Sequence, residues 1–161
     1  MKAATISEIK RELKEKSSEE LTQLCLRLAK FKKENKELLT YLLYESEDDT
    51  AYINSVKAEL DIQFAEINTT NYYWIKKTLR KILRNTKKYI RYTQSKAIEV
   101  ELLIYFCSKM NLIQPSIHKN GTLKNLYLRQ VQLIKKNILL LPEDLQYDYT
   151  TILKNEKLSE H

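Results

Sequence analysis

One glycine and two prolines in 161 residues constrain this chain more than any other feature. Sheets need turn residues at every reversal, and dinucleotide- or phosphate-binding α/β folds need glycine loops. A chain this poor in both is built from long helices with short connections. The length is that of one domain, 1–161, able to bury roughly two-thirds of its unfolded surface without disulfide or metal staples. With 43% hydrophobic and 30% charged residues, the composition is globular rather than disordered.

Helix starts are marked by capping residues. Thr5 with Glu8, and Ser17 with Glu20, have the spacing of capping boxes. A short first helix is expected to about Glu15. The next apolar positions are Leu21, Leu24, Leu28, Phe31, Leu38 and Leu42, with Asn35 in the same seam. They fit one helix over about 18–45, or two helices parted within residues 32–36. The break is preferred, since 28 residues exceed the usual helix and Asn35 is a good cap. As sequence, the heptad phase is too short to argue a coiled coil.

Further helices are expected at about 49–67, 71–93, 95–111, 122–139 and 142–155. Residues 46–50 are read as an acidic turn, the uncharged residues 68–71 as the next turn, and residues 110–121 as the one substantial loop. Val100 and residues 102–107 are apolar nearly all round, which places that helix centrally. Pro142 suits the first turn of the last helix, and the tail after about 157 is expected to fray. Short connections make successive helices antiparallel. The fold class is therefore all-α: seven or eight antiparallel helices in a bundle or a short α-solenoid of helical hairpins.

Residues 7–13, 24–41 and 79–83 resemble an uncharacterised bacterial all-helical family. The resemblance covers most of the chain. It implies a bacterial, cytoplasmic, all-α protein and carries no activity.

The net charge of +7 is segregated. Residues 1–66 hold 11 basic and 14 acidic groups, and residues 143–161 hold two basic and five acidic, a net −3 in each case. Residues 67–142 hold 15 basic groups and only Glu99 and Glu101, a net +13. A wealth of Lys, Asn, Ile and Tyr, the residues of A/T-rich codons, raises the average charge without explaining this segregation.

The segregation is sharpest in the helix over 71–93. At about 100° per residue, Ile75, Leu79, Ile82, Leu83, Thr86, Tyr89 and Ile90 share an arc of about 120°. Lys76, Lys77, Arg80, Lys81, Arg84, Lys87, Lys88 and Arg91 occupy the opposite arc, with Tyr73 inside it and Trp74 and Tyr92 at its edge. No acidic residue interrupts it, although like charges at i,i+4 repel. These eight are the anion-binding candidates. Tyr73, Trp74 and Tyr92 are the stacking candidates for unpaired bases. The competing reading is a solvated face whose charges meet acidic patches at residues 45–49 or 143–148.

Other chemistry is sparse. Glu99 and Glu101 point about 200° apart on a helix and are expected to pair with nearby cations. His118 has no local carboxylate to orient it as a base and reads as a surface or loop-packing residue. Cys25 and Cys107 lie in apolar helical runs and are expected to be reduced core thiols. Residues 138–142 with Tyr147 and Tyr149 form an apolar cluster that packs helices or offers a partner groove. No catalytic, cofactor-binding or metal-ligand motif is found. The N-terminus carries charges where a signal peptide needs its apolar stretch, and no run is long enough to span a membrane. The sequence thus suggests a cytoplasmic, non-enzymatic helical binding module, without cofactor, whose basic helix contacts an anionic partner, nucleic acid or an acidic protein. The alternative is a protein–protein interaction scaffold that binds no nucleic acid.

Overall fold

A computed structural model describes residues 1–158 and places eight α-helices among them, with no strand. They are α1 (Ile6–Lys14), α2 (Ser18–Phe31), α3 (Lys33–Thr40), α4 (Asp49–Ala65), α5 (Tyr72–Thr93), α6 (Lys96–Asn111), α7 (Gly121–Ile138) and α8 (Glu143–Asn155). The contacts divide the chain into two compact units, Met1–Tyr44 and the residues from Glu45 onward.

In the first unit both capping boxes form. Thr5 and Ser17 accept from the backbone N–H of Glu8 and Glu20, and each glutamate accepts in return from its cap's N–H at 2.8 Å. Those hydrogen bonds hold both carboxyls below the usual carboxylate range. The break within 32–36 is present, but Asn35 does not cap it. The chain turns at Lys32, in extended conformation and without a side-chain cap. Asn35 lies inside α3 and donates its Nδ2 to the Leu28 carbonyl at 2.9 Å, tying α3 back onto α2. After α3 a π-turn runs over Tyr41–Glu45.

The second unit is a bundle around α6, which packs against α4, α5, α7 and α8. Along α6, Ile98, Val100, Leu102, Leu103, Phe106 and Met110 are buried, as its all-round apolar sequence requires. Caps fix where the surrounding helices begin. Asp48, Asn71, Ser95 and Asn120 each accept from a first-turn N–H. Pro142 precedes the first helical residue of α8 rather than lying within its first turn. The loop between α6 and α7 includes a 3₁₀ turn at Ile117–Lys119, which buries Ile117.

Alpha-8 ends in a Schellman motif. Lys157 takes a left-handed conformation (φ 52°), and the Leu158 N–H donates to the Leu153 carbonyl at 3.0 Å. Leu153 and Leu158 are both buried, so Leu158, which falls in the tail expected to fray, is packed. The rest of that tail, His161 included, lies outside the described residues.

The apolar C-terminal cluster divides. Ile138 and Leu141 are buried, while Leu139, Leu140 and Tyr147 are exposed. The two thiols also differ. Both are free, but Cys107 is buried in the core of α6 and Cys25 is exposed, against the expectation of two core residues. Leucines surround Cys25 in sequence, yet its side of α2 borders an open cavity against α3 and the thiol stays exposed. Burial pushes the Cys107 thiol up to about 12.

Cys25 should therefore react with a thiol reagent at neutral pH in the native protein, and Cys107 only after unfolding. Cys107→Ala should cost about 1 kcal/mol or more in denaturant titrations, and Cys25→Ala less than about 0.5 kcal/mol. Equal reactivity of the two thiols would contradict this assignment.

Candidate anion-binding face

Alpha-5 presents its two arcs as its sequence requires. Ile75, Leu79, Ile82, Thr86 and Ile90 are buried, and Leu83 and Tyr89 are half-buried. Thr86 satisfies its hydroxyl by donating to the Ile82 carbonyl at 2.9 Å. This inward stripe fixes the rotation of the helix and turns the opposite arc to solvent. Lys77, Arg80, Lys81, Arg84 and Arg91 are exposed, and Lys76, Lys87 and Lys88 are half-exposed.

The neighbours do not neutralise this arc. Setting Lys88 aside, none of its cations forms an ion pair with a described residue. The acidic patches at 45–49 and 143–148 therefore do not cover Lys77, Arg84 or Arg91. The carboxylates nearby in sequence are engaged elsewhere, as expected: Glu99 with Lys96 and Glu101 with Lys57, each at 2.7 Å. Gln63 and Asn85, a neutral pair at 3.0 Å, join α4 to α5.

The aromatics differ in availability. Tyr73 is 62% and Trp74 40% exposed at the start of the helix. The two rings meet edge to face at 5.0 Å, and the Lys77 ammonium sits 5.2 Å from the indole. Tyr92 is half-buried and packs against Tyr89, with centroids 6.3 Å apart. It offers less free ring surface than the other two. At the C-terminal end the arc borders a cavity of about 430 Å³ lined by Lys87, Arg91, Lys96, Glu99 and Leu133.

A second cluster of ionisable groups, of which the sequence singles out only Glu101, joins α4 to α6. Alpha-4 and α6 lie side by side with a constant offset, so that Lys57 meets Glu101 and Asp61 meets Tyr105. Asp61 accepts from the Tyr105 hydroxyl and from Lys109, both at 2.6 Å. The Lys57 and Lys109 ammoniums sit 5.4 and 5.3 Å from the Tyr105 ring centroid. The hydrogen bonds from Lys109 and Tyr105 hold the Asp61 carboxyl below its usual range, while burial raises the Tyr105 hydroxyl. Tyr149 lies 3.4 Å from Glu101, and burial, with that carboxylate, pushes it up to about 12.

Of these groups, Lys57, Glu101, Tyr105, Lys109 and Tyr149 line a cleft of about 460 Å³. Each charge in the cluster meets one of opposite sign or a phenol, so the arrangement clamps α4 to α6. Tyr149 stays neutral near pH 7 and is no ready base. The signal in sequence is only the i,i+4 spacing of Lys57 with Asp61 and of Glu101, Tyr105 and Lys109; nothing there gives the register.

His118 is exposed on the loop, with its Nε2 3.0 Å from Asn111 Oδ1 and its ring edge to face with Tyr127 at 5.2 Å. Among the described residues no group of three or more His, Cys, Asp or Glu side chains converges as metal ligands, and no helix is long and apolar enough to cross a membrane. Comparison with protein-family models, curated proteins and solved structures finds no match to this chain.

The acid-free face should cost stability. Five like-charged i,i+4 pairs run along it, each destabilising by about 0.2–0.5 kcal/mol. Arg84 has a cation at each of i−4, i−3, i+3 and i+4. Arg84→Glu should therefore raise stability by about 1 kcal/mol, read as an increase in melting temperature. A loss of stability would mean that Arg84 already makes favourable contacts.

Proposed function

We propose that this protein is a non-enzymatic helical binding module that docks polyanions, nucleic acid foremost, on the outer face of α5. The observation that carries the reading is the run of exposed cations on α5 left without acidic partners by the rest of the fold. A structural surface helix ordinarily intersperses glutamate to relieve its own repulsion. Here the repulsion is retained, which suits a face that is neutralised by a partner.

Lys77 to Arg91 spans about 21 Å of helix, and a duplex strand carries a phosphate about every 3.4 Å of its axis. The face thus matches a footprint of about six base pairs. Arg and Lys would contact phosphates, giving affinity with little sequence preference. Tyr73 and Trp74, exposed at one end, could stack on unpaired bases where the strand is single. The same features favour an intracellular, cytoplasmic setting, where nucleic acid is abundant. An acidic protein is the second partner the charge would suit; such a scaffold would show no nucleic-acid affinity.

The test is an electrophoretic mobility shift with short single- and double-stranded oligonucleotides. The wild type should retard both. Lys77→Glu, Arg80→Glu, Arg84→Glu and Arg91→Glu together should abolish retardation and leave helix content unchanged, since all four side chains point to solvent. Reversals at Lys2, Lys30, Lys36 and Lys136, exposed elsewhere, should weaken binding far less. Equal losses in the two sets would show that only net charge matters and would overturn the assignment to α5.

A further inference from the structure

The basic face of α5 ends in a hollow. Lys87 and Arg91, one turn apart on the helix, both reach it. At Gln94 the backbone turns left-handed (φ 52°), and the chain passes into α6. That turn brings Gln94, Ser95, Lys96 and Glu99 to the same cavity of about 430 Å³, and α7 adds Leu133. Ile90 is buried and Leu133 half-buried, which gives the hollow an apolar side. Three helices thus contribute to it, whereas the rest of the arc is the surface of one.

The charges in the hollow do not cancel. Lys96 is matched by Glu99 at 2.7 Å, while Lys87 and Arg91 form no ion pair with a described residue. Three cations against one carboxylate leave a net charge of +2. Uncommitted donors accompany them. The Gln94 amide makes no hydrogen bond with a described residue. The Ser95 hydroxyl accepts from the Ile98 N–H at 3.4 Å and keeps its own proton to donate.

We propose that this hollow seats a phosphate monoester at the end of a nucleic-acid strand laid along α5, an inference that rests on the polyanion reading of that face. Charge selects the monoester. At neutral pH a monoester carries about −1.5 to −2 and three strong acceptor oxygens. That charge balances the hollow, and Lys87, Arg91, Gln94 and Ser95 supply donors for the oxygens. A phosphodiester within the strand carries a single negative charge and would leave part of the hollow's charge uncompensated. Position selects the strand end. Beyond Arg91 no cation of α5 remains, so a strand that follows the arc reaches the hollow where its contacts with the helix stop.

Fluorescence anisotropy with one single strand in three forms tests this: 5′-phosphorylated, 3′-phosphorylated, and hydroxyl at both ends. A phosphorylated form should bind the wild type at least about tenfold more tightly than the hydroxyl form, the gain expected from one hydrogen bond to a charged group. Lys96→Ala removes a cation and frees Glu99, and should erase that gain while binding of the hydroxyl form is retained. Leu133→Trp fills the hollow without altering charge and should do the same, which separates a seat for the phosphate from a general effect of charge. A free nucleoside monophosphate should compete at least about a hundredfold more weakly than the phosphorylated strand, because it lacks the contacts along the arc. Equal affinity for the three forms, a preference that survives both variants, or competition by the free nucleotide as strong as that by the strand would overturn the inference and leave the polyanion face of α5 standing. Failure of all three forms to bind would overturn that face as well.

Discussion

Burial of the apolar residues of α6 is the interaction on which the second unit depends. A helix that is apolar around its circumference must be enclosed. Here α4, α5, α7 and α8 each supply one wall. Burying one Leu, Ile or Phe side chain is worth about 1.5–3 kcal/mol. The fully buried Leu102, Leu103 and Phe106 therefore form the strongest part of this unit. The position of α5 follows from that enclosure. Its stripe of Ile75, Leu79 and Ile82 is committed to the core, so its cations have only the outward direction left. The basic face is a consequence of the core, and three carboxylates of this unit are engaged away from it: Glu101 with Lys57, Asp61 with Lys109 and Glu99 with Lys96.

Much of this was legible in the sequence. Helix starts are announced by local chemistry, and the capping boxes read from the spacing of Thr5 with Glu8 and of Ser17 with Glu20 both form. The two arcs of α5 were readable because twenty-two helical residues average out local noise. The central place of α6 was readable because apolar residues at every angle admit no other solution.

The rest depended on long-range placement. Asn35 has a cap's chemistry, but its amide reaches the Leu28 carbonyl across the turn instead, a bond no local rule anticipates. Cys25 lies among leucines in an amphipathic run. Such a run shows which face is apolar, not whether anything covers it, and so Cys25 is exposed while Cys107 is buried. The Asp61–Tyr105–Lys109 cluster requires the register between two helices that are not consecutive. Each residue is ordinary on its own helix, and only the pairing makes the clamp.

The central claim is that the outer face of α5 engages phosphates through charge. The salt dependence of binding measures this most directly. Titration of a fluorescent duplex at increasing potassium chloride yields the slope of log affinity against log salt, which counts released counterions at about −0.9 per neutralised phosphate. With Lys77, Arg80, Lys81, Arg84 and Arg91 exposed, contact by most of them gives a slope of about −3 to −5. A slope near zero, or no binding at the lowest salt, would contradict the account.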